Sequence, residues 1–416
     1  MPKVCFYFQV HQPYRVDEYS FLDVNSGKKY FDDKKNEEIC KKVASKCYLP
    51  MNALLLELIN KYQGKFKISF SITGTALEQF EMYSPETLES FKKLARTGCV
   101  EFLSETYYHS LSFLYSKEEF QEQVQMHRIK IKKLFNYEPK VFRNTELIFN
   151  NELAHEVEKM GYLGILAEGA DHVLGWRSPN FLYRAETAPH IKLLLKNYKL
   201  SDDIAFRFSN QGWASFPLMA DTYASWINQI NGSGEVVNLF MDYETFGEHQ
   251  WEHTGIFNFM RQLPEEIFKN PDNGFMTPTE VAQTFNPVAT LDIHHPMSWA
   301  DMERDLSAWL SNAMQHNAMS QCYRLESYVK ENGTAEQLKA WRMLTTSDHF
   351  YYMCTKYFND GDVHKYFSPY ETPYEAFMNY MNILEDLRNA VRPKEISLFE
   401  VRHATTNEKR TRQFVA

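Results

Sequence analysis

The sequence predicts an α/β barrel followed by a C-terminal helical region, and three observations carry that prediction. Short apolar runs near residues 4, 66, 100, 140, 163, 191 and 236 alternate with helical patterns, which implies a parallel sheet with helices outside it. These runs end in polar or acidic residues, as strands do when a barrel presents chemistry at their C-terminal ends. An open doubly wound sheet is the alternative, but it concentrates its site at one switch point. From about Ser298 the strand pattern stops and long helical periodicities replace it.

The chain has 416 residues, 44% hydrophobic and 24% charged, which is ample material for a large core. Its net charge of -9 lacks the basic footprint that nucleic-acid binding requires. No apolar stretch is long enough to span a bilayer. Met1-Pro2-Lys3-Val4-Cys5-Phe6 enters a strand directly, without the ordered regions of a secretory signal. The 6 cysteines are scattered and form no CxxC pair, the usage of a reduced cytoplasmic protein. The 31 Phe and 25 Tyr serve a dense core, and aromatic faces also stack on sugar rings.

Taken in order, Val4 to Val10 is a strand that stops at His11-Gln12-Pro13, because Pro13 ends regular pairing. Tyr14 to Lys46 reads as a long loop with a short helix. Leu49 to Tyr62 is helical, with Met51, Leu54, Leu55, Leu58 and Ile59 on one face. Phe66 to Ile72 alternates as a strand, and Pro85 to Arg96 is a helix closed by Gly98. Val100 to Leu103 leads into Ser104-Glu105-Thr106-Tyr107-Tyr108-His109. Lys117 to Phe135 is the next helix. Lys140 to Arg143 is a short strand that delivers Asn144-Thr145-Glu146, and Asn151 to Met160 is a helix ending at Gly161. Leu163 to Ala167 runs into Glu168. Phe181 to Arg184 and Ile191 to Leu195 read as strands, the second ending near Ser201-Asp202-Asp203. Ala214 to Gln229 is helical overall, with Pro217 at an early boundary. The run from Val236 to Met241 ends in Asp242 and Glu244, a Gly247 turn and His249. Met302 to Lys330, Ala335 to Phe358 and Tyr374 to Val391 are helical patterns. The expected division is a barrel over residues 1–295, a helical bundle completing the cleft over 296–392, and a tail over 393–416, whose basic run Lys409 to Arg412 is expected to be exposed.

The strand ends collect His11, Gln12, Glu101, Glu105, His109, Glu146, Glu168, Asp202, Asp203, Asp242, Glu244 and His249 on one rim. Any one of these is ordinary as a cap or solvated loop residue. Carboxylates, histidines and aromatics together, without a phosphate loop, suit glycoside chemistry. The sequence has no GxSxG elbow, no GxGxxG after the first strand, no GxxxxGK[ST] and no HExxH. His294, His295 and His349 read as structural or rim histidines, and no metal site is expected.

Five segments, in order and across nearly the whole chain, then resemble glycoside hydrolase family 57, the α-amylase-like retaining enzymes. They are His11-Gln12-Pro13; Gly98-Cys99-Val100-Glu101-Phe102-Leu103 continuing to His109; Asn144-Thr145-Glu146-Leu147; Met241 to His249; and Ser347-Asp348-His349. The chain departs from many members in having Phe142-Arg143 where a Trp precedes the nucleophile segment, and His349 where a Trp ends the fifth segment. Both changes bear on substrate contacts. The resemblance implies a (β/α)7 barrel, a distorted TIM-like form, followed by a helical region. It implies α-1,4-glucan substrates (starch, glycogen, maltooligosaccharides) and no cofactor or required metal. It assigns Glu146 as nucleophile and Asp242 as general acid/base. His11, Gln12, Glu101, His109 and Asp348 are then expected around the substrate, with Trp213, Trp176 and Trp251 as stacking platforms, His249 on the rim and Glu244 in a structural role. A 4-α-glucanotransferase or branching enzyme is the alternative on the same fold. A metal-dependent carbohydrate deacetylase, which uses a similar barrel with an HxxxH-type pair and an Asp, is a less favoured alternative. A non-catalytic glucan-binding protein would retain the cleft without turnover. Nothing in the sequence specifies an oligomeric state.

Overall fold

Ten strands follow one another along the computed structural model, which describes residues 2–356 and 368–392. They are β1 (Lys3–Val10), β2 (Ile68–Ile72), β3 (Val100–Phe102), β4 (Val141–Arg143), β5 (Gly164–Glu168), β6 (Tyr183–Ala185), β7 (Ala188–Lys196), β8 (Val236–Asp242), β9 (Gly274–Phe275) and β10 (Ala289–Leu291). One sheet runs β3-β2-β1-β8 and is parallel throughout; the other runs β10-β6-β7-β5-β4. The two sheets meet at both edges. Just beyond β3, Ser104 donates its N–H to Val141 O (3.0 Å) and accepts from Arg143 N–H (2.8 Å). At the other seam Asn197 N–H reaches Asn238 O, and Asn238 Nδ2 reaches Leu195 O, each at 2.9 Å. Seven parallel strands (β1, β2, β3, β4, β5, β7 and β8) therefore close a ring, and all seven fall on the apolar runs read from the sequence. Outside the ring, β6 lies antiparallel on β7, β10 lies parallel on β6, and β9 pairs with Lys3 and Val4 at the base of β1.

The two-residue period of a strand sorts its side chains to opposite faces. Along β1, Val4, Phe6, Phe8 and Val10 face outward to the surrounding helices, while Cys5 and Tyr7 face into the ring. Tyr7, Leu103, Val141, Leu166, Leu194 and Phe240 fill the interior as an apolar plug. Each such burial contributes about 1.5–3 kcal/mol for a large apolar side chain. Continuing the alternation toward the C-terminal ends, every ring strand, or the residues just past it, delivers one polar side chain: Gln9, Ser71, Glu105, Arg143, Glu168, Lys196 and Asp242. From Glu105 round to Asp242 these alternate acid and base. Arg143 lies 3.8 Å from Glu105, and Lys196 lies 3.6 Å from Glu168.

The outer helices are ended by local chemistry. Helix Lys117–Phe135 starts at Ser116, whose hydroxyl accepts from Glu119 N–H at 3.2 Å, and stops at Asn136 in the left-handed region. C-terminal helices Ala313–Arg324, Ala335–Leu344 and Pro373–Val391 share a second core built on Met319, Cys322, Trp341, Leu344, Tyr380 and Ile383. The same core takes in Tyr19, Leu111 and Ile148 from barrel loops, which seats the helices on the rim. Thr346 Oγ donates to Tyr108 O (2.8 Å) and Ser347 N–H to His109 O (2.9 Å). These two bonds hold helix Ser347–Tyr351 over the mouth of the ring.

Several element boundaries differ from the sequence reading. Residues 302–312 are not helical: Asp301 and Arg304 take left-handed φ of 57° and 50°, and the helix begins at Ala313 behind the Asn312–Gln315 capping box. Ser201, Asp202 and Asp203 lie on helix Tyr198–Ala205 instead of a strand end, because Asn197 caps that helix through Leu200 N–H. The helix expected from Ala214 begins at Ala220. The loop after Tyr14 contains helix Asp33–Val43, which starts at an Asp32 cap. Phe358 and the tail 393–416 lie outside the described residues.

Candidate active site

After β4 the backbone turns sharply through Asn144 and Thr145, and Asn144 Nδ2 closes the turn on Ile148 O at 3.1 Å. Glu146 and Leu147 then take φ of 59° and 51°. Residues with a Cβ rarely adopt the left-handed region, and such strain persists where surrounding contacts impose it. Those contacts converge on the Glu146 carboxylate. Its Oε1 accepts from His109 Nε2 and from Ser347 Oγ, both at 3.2 Å, and its Oε2 accepts from Trp299 Nε1 at 2.8 Å. Trp299 is further tied down by its own N–H to Glu146 O at 3.2 Å.

His109 also sits in the left-handed region, at φ 51°. Its Nδ1 faces Glu105 Oε2 at 3.4 Å. Burial alone would lower the imidazole pKa, but hydrogen bonds to Glu105 and Glu146 raise it to about 9, so the ring is an imidazolium at neutral pH. Glu105 is fully buried, accepts from Gln9 Nε2 at 3.3 Å and fixes the ring from behind. For Glu146, burial favours the neutral form. The hydrogen bond and charge of His109, with Arg143 and Trp299, outweigh it and hold the pKa below its ordinary value.

Asp242 ends β8 in register with Gln9 of β1. Burial, then the neighbouring Glu146 charge, push its pKa up to about 6 against the opposing charges of Arg143, His109 and Lys196. The two carboxyls thus divide into one that ionises below the ordinary glutamate range and one that holds its proton up to about pH 6, the split that acid/base chemistry exploits.

His11 stacks on His109 with ring centroids 4.0 Å apart. Burial, then the His109 charge, lower its pKa, so it is neutral. Nε2–H donates to Asp348 Oδ2 at 2.9 Å, and Nδ1 accepts from Thr73 Oγ at 3.0 Å. Burial opposes ionisation of Asp348, but contact with His11 and the charge of His109 hold it well below the usual carboxylate range. Ligand atoms of His11, His109 and Asp348 lie within 4.8 Å of one another, a group that by residue type could hold a metal ion. In the structure the His11 nitrogens are hydrogen-bonded to Thr73 and Asp348, and the His109 nitrogens face Glu105 and Glu146.

The structure brings Glu146, Asp242, His11, His109 and Asp348 together and places other expected residues elsewhere. Glu101 lies inside the barrel toward its base, buried, where Thr279 donates both N–H (2.8 Å) and Oγ–H (2.6 Å) to it. It caps helix Pro278–Thr284 and is not a rim residue, because the two-residue period turns Glu105 to the mouth two inward positions later. Gln12 is buried and donates to Tyr48 OH at 3.0 Å, and Tyr48 in turn donates to Glu244. Glu244 is buried, and burial together with the Asp242 charge raises its pKa to about 8. Trp213 packs on Trp226 (6.1 Å) beside Arg207, outside the carboxylate cluster. His249 follows the Gly247 turn with its N–H on Glu244 O at 2.9 Å, and burial lowers its ring pKa to about 4. Trp176 and Trp251 are exposed. His349 is buried against Tyr380, with a ring nitrogen on Met343 O at 3.2 Å, a packing role.

Sequence reasoning missed Trp299, Ser347 and Arg143. Ser347 was within reach, since it opens the Ser347-Asp348-His349 segment. Trp299 stands alone in an irregular stretch and offered no pattern.

Residues 5–294 match the family model described as Glycosyl hydrolase family 57. The chain belongs to this family. A Methanocaldococcus jannaschii protein named "Putative alpha-amylase" is 45% identical over 395 residues, covering 92% of this chain and 83% of that protein. The family 57 branching enzyme from Pyrococcus horikoshii superposes with a TM-score of 0.65 at 15% identity, covering 94% of this chain and 90% of that one. The 4-alpha-glucanotransferase from Thermococcus litoralis gives 0.62 at 17% identity, covering 84% of this chain and 54% of that one. Identities this low establish the fold: the family 57 (β/α)7 barrel with a C-terminal helical region. No helix among the described residues is long and apolar enough to cross a membrane.

Proposed function

We propose that this family 57 member is a retaining glycoside hydrolase of α-amylase type acting on α-1,4-glucans such as starch, glycogen or maltooligosaccharides. The observation that carries the reading is the split between Glu146 and Asp242, one carboxylate accepting three hydrogen bonds and the other made to hold its proton up to about pH 6 by burial and by the first one's charge. Glu146 attacks the anomeric carbon while Asp242 protonates the departing oxygen. Asp242, now a base, then takes a proton from the water that releases the sugar from Glu146. Retention by this route calls for carboxyl groups roughly 5–5.5 Å apart. His11, His109 and Asp348 lie around the reacting centre as partners for sugar hydroxyls. Residues 296–392 complete the cleft, since Trp299, Ser347 and Asp348 come from that segment.

Likeness to a branching enzyme and a 4-alpha-glucanotransferase supports a second reading, in which a glucan hydroxyl replaces water in the second step. Incubation with pure maltoheptaose, reading product sizes and anomeric configuration, tests both. Shorter products of α configuration support hydrolysis, products longer than the substrate support transfer, and intact maltoheptaose or β products overturn the mechanism.

A further inference from the structure

Arg143 points into the barrel, one inward position above Val141, with a side chain that is 0% exposed. None of its three guanidinium nitrogens has a hydrogen-bond partner among the described residues. Its contacts are Glu105 Oε2 at 3.8 Å and the face of Trp299, whose ring lies 5.0 Å from the guanidinium carbon. A charge buried on such terms costs several kcal/mol, and an apolar residue of similar volume would fill the space without that penalty. The helical region contributes Trp299, which presses its ring on this cation while its N–H holds Glu146. Lys196 approaches the same ring at 5.4 Å.

We propose that Arg143 is a positioning residue that acts through its charge, a fixed cation beneath Glu146 and Asp242 that sets the pH window in which the pair works. The proposal rests on these two carboxyls being the reacting groups. The titratable groups that face the guanidinium are Tyr7 of β1, Glu105 and His109 after β3, Glu146 after β4 and Asp242 of β8, with Lys196 of β7 across Trp299. Arg143 favours the ionised form of both Glu146 and Asp242. His109 is also cationic, but it acts on Glu146 through a directed hydrogen bond and is held by Glu105 behind it, whereas Arg143 makes no hydrogen bond among the described residues and reaches both carboxyls through its charge.

The test is the pH dependence of kcat/KM on maltoheptaose for the full chain and for Arg143→Met, Arg143→Gln and Arg143→Lys, with melting temperatures measured in parallel. Loss of the cation in the Met and Gln variants should move both limbs to higher pH by about one pH unit. The Lys variant, which retains the charge, should hold both limbs near wild type. Neutral variants that lose activity equally at every pH, with limbs unmoved, would overturn the proposal in favour of a structural charge. So would neutral variants that cannot fold beside a stable Lys variant. Wild type and Glu146→Gln, run alongside, separate this from the underlying reading: an inactive wild type, or an active Glu146→Gln, would remove the catalytic assignment itself.

Discussion

His109 Nε2 stands 3.2 Å from Glu146 Oε1, and both residues hold left-handed backbone. Neither conformation is favourable for an L-residue, so two strained loops, one after β3 and one after β4, are held in place by the contact they make possible. Replacing His109 with Asn, which tolerates this backbone better than other residues, removes the charged hydrogen bond while sparing the loop. Such bonds contribute about 1.5–3 kcal/mol. His109→Asn should therefore lower kcat by about 10- to 100-fold in steady-state assays, with a native circular-dichroism spectrum.

Asp242→Asn should cut turnover of maltoheptaose by on the order of 10²–10⁴-fold, the usual contribution of a positioned general acid. Maltosyl fluoride needs no proton on its leaving group. It should still discharge onto Glu146 in this variant, and a fluoride burst without matching sugar release would record the stalled second step.

The pH profile follows from the two shifted carboxyls. Glycosylation needs Asp242 protonated, so kcat/KM should fall as pH rises through about 6. It also needs Glu146 ionised, and that pKa is depressed, so the acid limb should lie below the ordinary glutamate range. The expected optimum is acidic, between those limbs, and a profile flat to pH 8 would contradict it.

Stability should run against activity at the same residue. The folded-state pKa of Asp242 is raised above its unfolded value, so its contribution is fully present at low pH and lost as pH rises through about 6. Asp242→Asn should accordingly melt higher than wild type at pH 7–8, with the gap closing below about pH 4. Glu244, raised to about 8, repeats the pattern further up: Glu244→Gln should abolish a loss of melting temperature that wild type shows as pH rises from about 5 to about 8.

Trp299→Phe retains a ring over Arg143 and Lys196 but has no donor for Glu146 Oε2. Its kcat should drop by about tenfold or more. Its acid limb should also rise, because one of the hydrogen bonds that favour the carboxylate is gone.

The seven ring strands were legible because a two-sided buried strand writes itself as an apolar run that ends abruptly, and Glu146 and Asp242 stand at two of those endings. Glu101 misled because it is only two inward positions from Glu105's level and belongs to the same short strand segment; depth inside a barrel is a matter of register between neighbours, which one strand does not encode. The residues that take left-handed backbone, His109, Glu146 and Leu147, are neither glycine nor asparagine, so their identity does not announce the turns. Their strain is imposed by Trp299 and Ser347, residues 153 and 201 positions from Glu146 along the chain. Residues 302–312 carry apolar side chains at helical spacing, yet Leu306 and Leu310 use them to pack an irregular loop against the C-terminal core.

The Glu146 carboxylate is where three remote parts of the polypeptide touch: a loop after β3, the irregular stretch carrying Trp299, and the helix opened by Ser347. A nucleophile assembled this way is an interlock. If the C-terminal helices lift off the rim, the Ser347 donor leaves with them and the cover over Trp299 is loosened, although the ring of strands is intact. On heating, catalysis should then disappear before the barrel melts, and the interval between the two temperatures would measure how firmly the helices are latched.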